Sequence, residues 1–299
     1  MKLKTYDKVE KWGIVNLSLT DFEKEVKTYL TQIEKTLVEE LNRYKDSFFY
    51  KPLLYAVKGG KRIRPLILVL SAKCVSDKHE NPYPAAVAVE LLHTESLIHD
   101  DIIDKETFRR GKTPFHVRYG EPAAILSSDF TLAAVLDILT RHYENKQILR
   151  EIVYSTLRMC EGEMMDVKIR SQGNTLNWET YLNLVDKKTA SLFFTAARIG
   201  AIIGGGKDFE IKALSSFGRF LGISYQIKDD LLDFEKGEKA LEFLETLTGK
   251  SVDEKFLIKL KKSVEDYSRM AIESLKPLKE SKAKKHLCNL ARFSVLRKF

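Results

Sequence analysis

Cysteine is scarce in this chain, and that scarcity excludes two classes of protein. The 299 residues contain 3 cysteines, Cys74, Cys160 and Cys288, which lie far apart in the sequence. A disulfide-stabilised secreted domain or a structural zinc site needs more cysteines at shorter spacing. The sequence therefore indicates a protein of a reducing compartment, and we expect it in the cytoplasm.

Linkers and membrane-spanning runs are missing as well. The chain has 15 glycines and 7 prolines, and nowhere do they form a Pro-, Gly- or Ser-rich linker between domains. An uncharged apolar run of about 18 residues is absent, and the N-terminus lacks the apolar core of a signal peptide. We expect one domain over 1–299 without a transmembrane segment, in which residues 1–17 form an N-terminal arm.

Strand-like alternation of apolar and polar residues is not found over any useful length, whereas apolar residues recur at helical spacing. The apolar residues at 22, 26, 30, 33, 37 and 41, for example, follow one helix face. Helices are predicted at about 20–41, 48–57, 65–76, 84–104, 121–142, 146–170, 177–203, 208–235, 252–277 and 281–297. This pattern predicts an all-α bundle of ten or more helices around a central cavity.

The charge of the chain is basic, with 50 Lys and Arg against 42 Asp and Glu and a net charge of +8. A basic surface can bind nucleic acid through its phosphates. Here, however, basic and acidic residues alternate through 21–46 and 235–285, which is typical of solvated helix faces. Basic residues concentrate at 58–64 and 109–112. We therefore expect small anionic ligands and no nucleic acid.

Three carboxylates interrupt the apolar helical pattern of residues 92–104. Asp100 and Asp104 are four residues apart, so their side chains share one helix face. At a separation of ~6 Å, two carboxylates repel by about 3 kcal/mol if the effective dielectric is about 20. The spacing of these residues, with Asp101 beside them, predicts a cation at this end of the helix.

A second copy of the pattern begins 129 positions later, with Asp229, Asp230 and Asp233 in the same order. Clustered carboxylate oxygens suit hard cations, and Mg²⁺ in particular binds one or two carboxylates together with substrate phosphate. Two facing clusters predict two to three Mg²⁺ ions with a polyphosphate held between them.

Further motifs accompany the two aspartate clusters. They are Gly59-Gly60-Lys61-Arg62-Ile63-Arg64-Pro65, Arg109-Arg110-Gly111-Lys112 and Lys188-Thr189. With the stretch 226–233 they make the chain resemble the trans-isoprenyl diphosphate synthases, or polyprenyl synthetases, from about residue 51 to the C-terminus. The resemblance implies an isoprenoid synthase-type bundle, a homodimer, and Mg²⁺-assisted condensation of an allylic diphosphate with isopentenyl diphosphate.

The resemblance also assigns roles to individual residues. The implied Mg²⁺ ligands are Asp100, Asp104, Asp229 and Asp233, and Asp101 supports them. The implied contacts with the leaving diphosphate are Arg109 and Lys188. The implied isopentenyl diphosphate site comprises Lys61, Arg64, His93 and Arg110. Oxygens of Thr189 and Gln226 are implied to face the carbocation, and Tyr225 to line the same wall.

The chain departs from the family pattern after Asp233. Relatives carry a loop with Gly-Lys and then an Asp-Leu and a Gly-Lys-Thr stretch, and one lysine of that loop completes the diphosphate site. The stretch 234–248 is shorter here. Lys236 and Lys239 are both candidates for the replacement, but neither has the matching spacing.

Product length is implied to depend on Glu95, five residues before the first aspartate, together with Ser96 and Leu92. A buried carboxylate costs several kcal/mol unless it is paired. A basic or hydroxyl group from a neighbouring helix or a dimer partner would favour a fifteen-carbon product, farnesyl diphosphate. If Glu95 turns away, the tunnel floor lies at Leu91 or Leu92. We expect this second case and geranylgeranyl diphosphate, because no bulky ring blocks the wall.

Two other functions have distinguishable sequence features. A non-catalytic or weakly active partner subunit of a prenyl diphosphate synthase is expected to lose one aspartate cluster. A class I terpene cyclase is expected to carry Asn-Asp with spaced Ser and Glu at the second motif. Both clusters are complete here, which favours an active prenyltransferase. His99 and Asp129 are interpreted as structural residues.

Overall fold

The computed structural model describes residues 19–76, 80–108, 111–172, 177–235 and 254–296. Its α-helices, in chain order, are α1 (Leu19–Asn42), α2 (Tyr50–Val57), α3 (Ile63–Val75), α4 (Tyr83–Ile103), α5 (Phe115–Tyr119), α6 (Glu121–His142), α7 (Lys146–Gln172), α8 (Trp178–Val185), α9 (Ser191–Ile203), α10 (Asp208–Glu235), α11 (Glu254–Ser274) and α12 (Lys282–Leu296). None of the described ranges contains a strand, so the all-α prediction is confirmed. The predicted N-terminal arm lies outside these ranges.

Two features differ from the helices expected from the sequence. The short helix α5 was not predicted, and the predicted helix 177–203 is divided by one turn of π-helix, Asp186–Ala190, between α8 and α9. We call this segment the π turn. It hardly alters the apolar periodicity of the surrounding helix, and for that reason the sequence pattern did not reveal it. Such turns occur frequently at functional sites.

Helix α4 lies in the middle of the bundle and packs against α1, α3 and α6. Most of its residues are buried, from Pro84 near its start to Ile98 near its end, as the nearly continuous apolar sequence predicts. The helix ends at Ile103 and Asp104 is its C-cap. The first aspartate cluster therefore occupies a helix C-terminus, where the helix dipole already places negative charge and a cation is favoured.

Helix α6 is, by length and composition, apolar enough to cross a membrane, and it is the one such helix among the described residues. A core helix of a soluble protein passes the same test. One side of α6 packs against α4, and its other side exposes Ile125, Leu126 and Leu136. Among the described residues, α6 therefore has apolar side chains on two faces, one packed against α4 and the other exposed.

The loop between α2 and α3 is held by Arg62, which has a left-handed backbone conformation. Its guanidinium donates hydrogen bonds to Glu34 at 2.7 Å, to Glu90 at 2.6 Å and to the Val57 carbonyl at 2.7 Å. Burial alone would lower the pKa of Arg62, but the two carboxylates outweigh it and the pKa is raised. Arg62 thus joins α1, α2 and α4 and fixes the backbone on either side of it, which carries Lys61 and Arg64.

We expect Arg62→Met to lower the free energy of unfolding by about 3–5 kcal/mol, because Glu90 would remain buried without its cation. Chemical denaturation measures this change. Arg269→Ala is the matched control, since Arg269 is 55% exposed and pairs with an exposed aspartate, so its removal should change stability little. Equal losses for the two variants would contradict the structural role assigned to Arg62.

Candidate active site

The two aspartate clusters lie on opposite sides of the π turn. On one side, Nζ of Lys188 is 3.9 Å from Oδ1 of Asp100 at the end of α4. On the other side, the Thr189 hydroxyl donates to Oε1 of Gln226 at 2.8 Å, and Gln226 Nε2 donates to Oδ1 of Asp230 at 2.9 Å. Consecutive residues of one turn therefore contact the first and second motifs.

Two glycines allow neighbouring helices to approach the π turn closely. A Cβ atom at Gly162 of α7 would lie 2.5 Å from the backbone nitrogen of Lys188, and one at Gly222 of α10 would lie 2.7 Å from Cα of Ala190. Real Cβ atoms essentially never come so near to backbone. The close contact on both sides therefore requires glycine and holds Lys188 in its position.

The Lys188 ammonium lies among three carboxylates. It is 2.7 Å from Glu163 and 2.7 Å from Asp166, in addition to its longer contact with Asp100. Asp166 is buried and also accepts two hydrogen bonds from Arg170, which reaches Asp104 as well. Four carboxylates at the first motif thus share two cationic side chains.

The pKa values of these groups follow from their surroundings. Burial raises the pKa of Glu163 to about 7, and the charge of Asp100 acts in the same direction against Lys188. Burial alone would raise the pKa of Asp166, but Lys188 and Arg170 outweigh it and the pKa is lowered. Burial alone would lower the pKa of Lys188, whereas its carboxylates raise it. Among the described side chains of the site, the carboxylates therefore outnumber the cations Lys188 and Arg170.

Asp230 of the second motif faces the protein interior. The buried Tyr181 hydroxyl donates to its Oδ2 at 2.5 Å, and Gln226 donates to its other oxygen. Burial raises the pKa of Asp230 to about 7; the two hydrogen bonds oppose this shift, and the charges of Asp229 and Asp233 add to it. Since Asp230 is engaged inside the bundle, Asp229 and Asp233 are the carboxylates of this motif that suit an external cation.

The donor set fits Mg²⁺. Asp100, Asp104, Asp229 and Asp233 are all half-buried, and their oxygens are hard ligands. The described ranges contain no group of three His, Cys, Asp or Glu side chains already assembled as a metal cage. The fit rests on the carboxylates themselves, because Mg²⁺ commonly uses one or two carboxylates and completes its shell with water and substrate phosphate.

One residue of the predicted second anion site, Arg64, lies against aromatic rings near the second motif. The Arg64 guanidinium carbon lies 4.5 Å from the centroid of the Phe193 ring, and that ring is 5.4 Å from the ring of Tyr225. Lys61 is exposed and His93 is half-buried on α4. Arg64 is thereby connected through the Phe193 ring to Tyr225, the residue that precedes Gln226. The binding roles of Lys61, Arg64 and His93 stay predictions.

Several predicted residues lie outside the described ranges. They are Arg109 and Arg110, which were assigned to the two diphosphates, and Lys236 and Lys239, the two candidates for the replaced lysine. The shortened stretch 234–248 is described only at its beginning. Their predicted roles therefore stay predictions.

Glu95 obtains its partner from its own helix. Oε1 of Glu95 is 3.0 Å from Nδ1 of His99, one turn further along α4. The hydrogen bond with Glu95 raises the pKa of His99, and the charges of Glu95, Asp129 and Asp100 outweigh the opposing effect of burial. Neither of the two cases considered from the sequence, a group from a neighbouring helix or a dimer partner, or a Glu95 that turns away, included this partner on the same helix. Deeper along α4, Leu92 is fully buried.

Sequence reasoning missed four residues of this site, and they are Glu163, Asp166, Arg170 and Tyr181. The three on α7 are spaced by three and four positions, a pattern equally typical of an exposed charged helix face. The approach of the π turn to α7 buries Asp166 and half-buries Glu163, whereas Arg170 remains exposed. The one local signal was Gly162, because glycine in a helix interior usually has a packing or functional reason.

The chain is similar in sequence to a family of known proteins. A family model described as Polyprenyl synthetase matches residues 46–242. Geranylgeranyl diphosphate synthase of Methanosarcina mazei is 38% identical over 222 residues, which are 73% of this chain and 68% of that protein. The Saccharolobus solfataricus protein of the same name is 32% identical over 290 residues, covering 80% and 87%.

Other relatives are matched over a shorter part of their length. The chain covers 63% of a short chain isoprenyl diphosphate synthase of Methanocaldococcus jannaschii, at 39% identity over 211 residues.

Among solved structures, geranylgeranyl pyrophosphate synthetase of Pyrococcus horikoshii has a TM-score of 0.81 and 29% identity, covering 93% of this chain and 99% of that one.

We expect Gly162→Ala to lower the free energy of unfolding by about 1–3 kcal/mol, because the added methyl overlaps the Lys188 backbone. Gly205→Ala is the control, since a Cβ at Gly205 meets nothing within 4 Å and only its positive φ disfavours alanine, by roughly 1 kcal/mol. Thermal or urea unfolding measures both. A smaller loss for Gly162→Ala than for Gly205→Ala would contradict the close approach of α7 to the π turn.

Proposed function

Because this chain belongs to the polyprenyl synthetase family, we propose that it is a short-chain prenyltransferase that condenses an allylic diphosphate with isopentenyl diphosphate. The observation that carries this proposal is the π turn, through which Lys188 contacts Asp100 of the first motif and Thr189 contacts Gln226 beside the second. The π turn thereby contacts both motifs. None of the observations favours a partner subunit or a terpene cyclase.

Asp100, Asp104, Asp229 and Asp233 would hold Mg²⁺, with two to three ions expected from the two clusters. When bound, Mg²⁺ supplies positive charge to the diphosphate that leaves the allylic substrate. Lys188 adds a fixed positive charge on the same side, because the carboxylates around it keep it protonated. Fixed charges of this kind need no reorganisation as the carbon–oxygen bond breaks. Arg109 is proposed to act beside Lys188.

We propose that oxygens of Thr189 and Gln226 face the carbocation. Gln226 accepts a hydrogen bond from Thr189 and donates one to Asp230, so its amide cannot turn without breaking both. The lone pairs of the Thr189 oxygen then face away from its own hydrogen bond. A weak dipole held in this way can stabilise positive charge without forming a bond to it.

Isopentenyl diphosphate keeps its diphosphate, and we propose that Lys61, Arg64, His93 and Arg110 bind it without metal. The support is positional. Arg62 fixes the loop that carries Lys61 and Arg64, and Arg64 stacks against the aromatic wall that leads to Gln226. The carbon that attacks the allylic cation would lie along this wall.

We propose geranylgeranyl diphosphate as the product, with farnesyl diphosphate as the shorter alternative. Two relatives described above carry the first name. The pairing of Glu95 with His99 on the same helix keeps the carboxylate satisfied without a bulky ring. The apolar floor would then lie at Leu91 and Leu92, which are fully buried.

We further propose that residues 1–299 form one cytoplasmic domain that assembles as a homodimer. One apolar core cluster extends from Val26 of α1 to Ala291 of α12. The exposed apolar side chains of α6 and α7 supply a surface for a second copy; they are Ile125, Leu126, Leu136, Val153, Leu157 and Met164. Exposed apolar surface of this extent favours association, and most soluble oligomers are symmetric dimers.

We expect Asp100→Ala and Asp229→Ala each to lower turnover at least about a hundredfold at saturating Mg²⁺, because each change removes a metal ligand that acts in the transition state. Steady-state kinetics with both substrates measures this. Asp266→Ala, at an exposed aspartate paired with Arg269, is the control and should retain full turnover. If either active-site variant keeps more than about a tenth of wild-type turnover, the metal assignment is wrong.

Glu95→Phe should shorten the product, because an aromatic ring would block the tunnel one turn above Leu91. Glu95→Ala should lengthen the product or leave it unchanged. Chromatographic sizing of the dephosphorylated products distinguishes these outcomes. A product of wild-type length from Glu95→Phe would show that this position does not line the tunnel.

Light scattering at micromolar concentration should give twice the chain mass of 34.4 kDa. Leu157→Glu should shift the protein toward monomer, since a charge at the proposed interface would lose hydration on association. Ile258→Glu is the control, because Ile258 is similarly exposed but belongs to α11. A monomeric wild-type protein would rule out the proposed dimer.

A further inference from the structure

Arg170 is oriented by a two-point contact with Asp166. Its Nε and Nη2 donate to the two oxygens of Asp166 at 2.9 Å and 2.7 Å. Asp166 is itself buried and is held by Lys188 at 2.7 Å. A paired contact of this kind fixes the plane of a guanidinium as well as its position. The remaining nitrogen, Nη1, is therefore directed by the protein.

Nη1 of Arg170 points at a proposed metal ligand. It donates to Oδ1 of Asp104 at 2.6 Å, and the two side chains are 48% and 18% exposed. Two carboxylates, Asp104 and Asp166, thus contact one guanidinium, and Asp166 is the more buried of the two. The contact of Nη1 with Asp104 can therefore break while the two contacts with Asp166 remain.

The charges around Asp104 favour an exchange of partners by Nη1. Within the described ranges, Asp100, Asp104, Glu163 and Asp166 are accompanied by the cations Lys188 and Arg170. A divalent cation bound at Asp104 would compete with Nη1 for the same oxygen. Nη1 would then face whichever anion accompanies the cation, at charge-assisted hydrogen-bond distance.

We propose that Arg170 is a further ligand of the leaving diphosphate: its Nη1 contacts Asp104 and would bind the diphosphate when Asp104 holds Mg²⁺. This inference rests on the proposed function and adds a residue to it. Arg170 belongs to α7, outside both aspartate motifs. Its contribution differs from that of Lys188, because the guanidinium presents a planar pair of donors to phosphate oxygens whereas an ammonium is a point charge.

Calorimetric titration of the full chain with inorganic diphosphate, in the presence of Mg²⁺, tests the proposal without relying on turnover. Arg170→Ala should weaken diphosphate binding by about tenfold or more, as loss of a charge-assisted contact does. Arg170→Lys should fall between this variant and the wild type. Arg269→Ala removes an equally charged, similarly exposed arginine and should leave binding unchanged.

Added guanidinium ion should restore diphosphate binding to Arg170→Ala but not change the wild type, a result that a merely structural role would not give. Wild-type affinity in Arg170→Ala would overturn the proposal. So would tighter diphosphate binding in that variant, since Arg170 would then only compete with the metal for Asp104. If the wild-type protein itself binds no diphosphate with Mg²⁺, the proposed function fails rather than this addition to it.

Discussion

The site depends on the half-buried ammonium of Lys188 and its contacts with carboxylates. Without it, Glu163 and Asp166 would face Asp100 in a poorly hydrated space, and like charges so placed would separate or take up protons. The π turn, the two glycines that let α7 and α10 approach it, and the fork of Arg170 on Asp166 all serve to keep one cation among these carboxylates. The close packing of α7 and α10 against the π turn therefore also determines where the charge of Lys188 lies.

Arg62 and Lys188 are used in different ways. Arg62 is buried and donates to two carboxylates and a carbonyl within 2.7 Å, and its effect is to fix a loop. Lys188 is half-buried among three carboxylates, where burial, and after it the charge of Asp100, raises the pKa of Glu163 to about 7. The first arrangement stabilises a backbone, whereas the second leaves a site that favours further positive charge. The negative end of α4 adds to that preference.

The sequence was informative wherever local spacing determines geometry. Asp100 and Asp104 share a face because helix geometry requires it, and the buried character of α4 follows from its continuous apolar residues. What could not be predicted depends on contacts between distant segments. Glu163 and Asp166 have the spacing of an exposed helix face, and only the approach of the π turn, a tertiary contact, places them in the site. Glu95 is different, because its partner His99 lies one turn along the same helix and helical spacing alone is enough to suggest this pair.

The central claim is that the two motifs act as one site for Mg²⁺ and diphosphate, and a product assay tests it most directly. Purified protein would be incubated with isopentenyl diphosphate and each allylic diphosphate primer, with Mg²⁺ or with a chelator, and the dephosphorylated products sized. We expect elongation to a twenty-carbon product with Mg²⁺ and no elongation with the chelator. Elongation that persists with the chelator, or none with any primer and Mg²⁺, would contradict the claim.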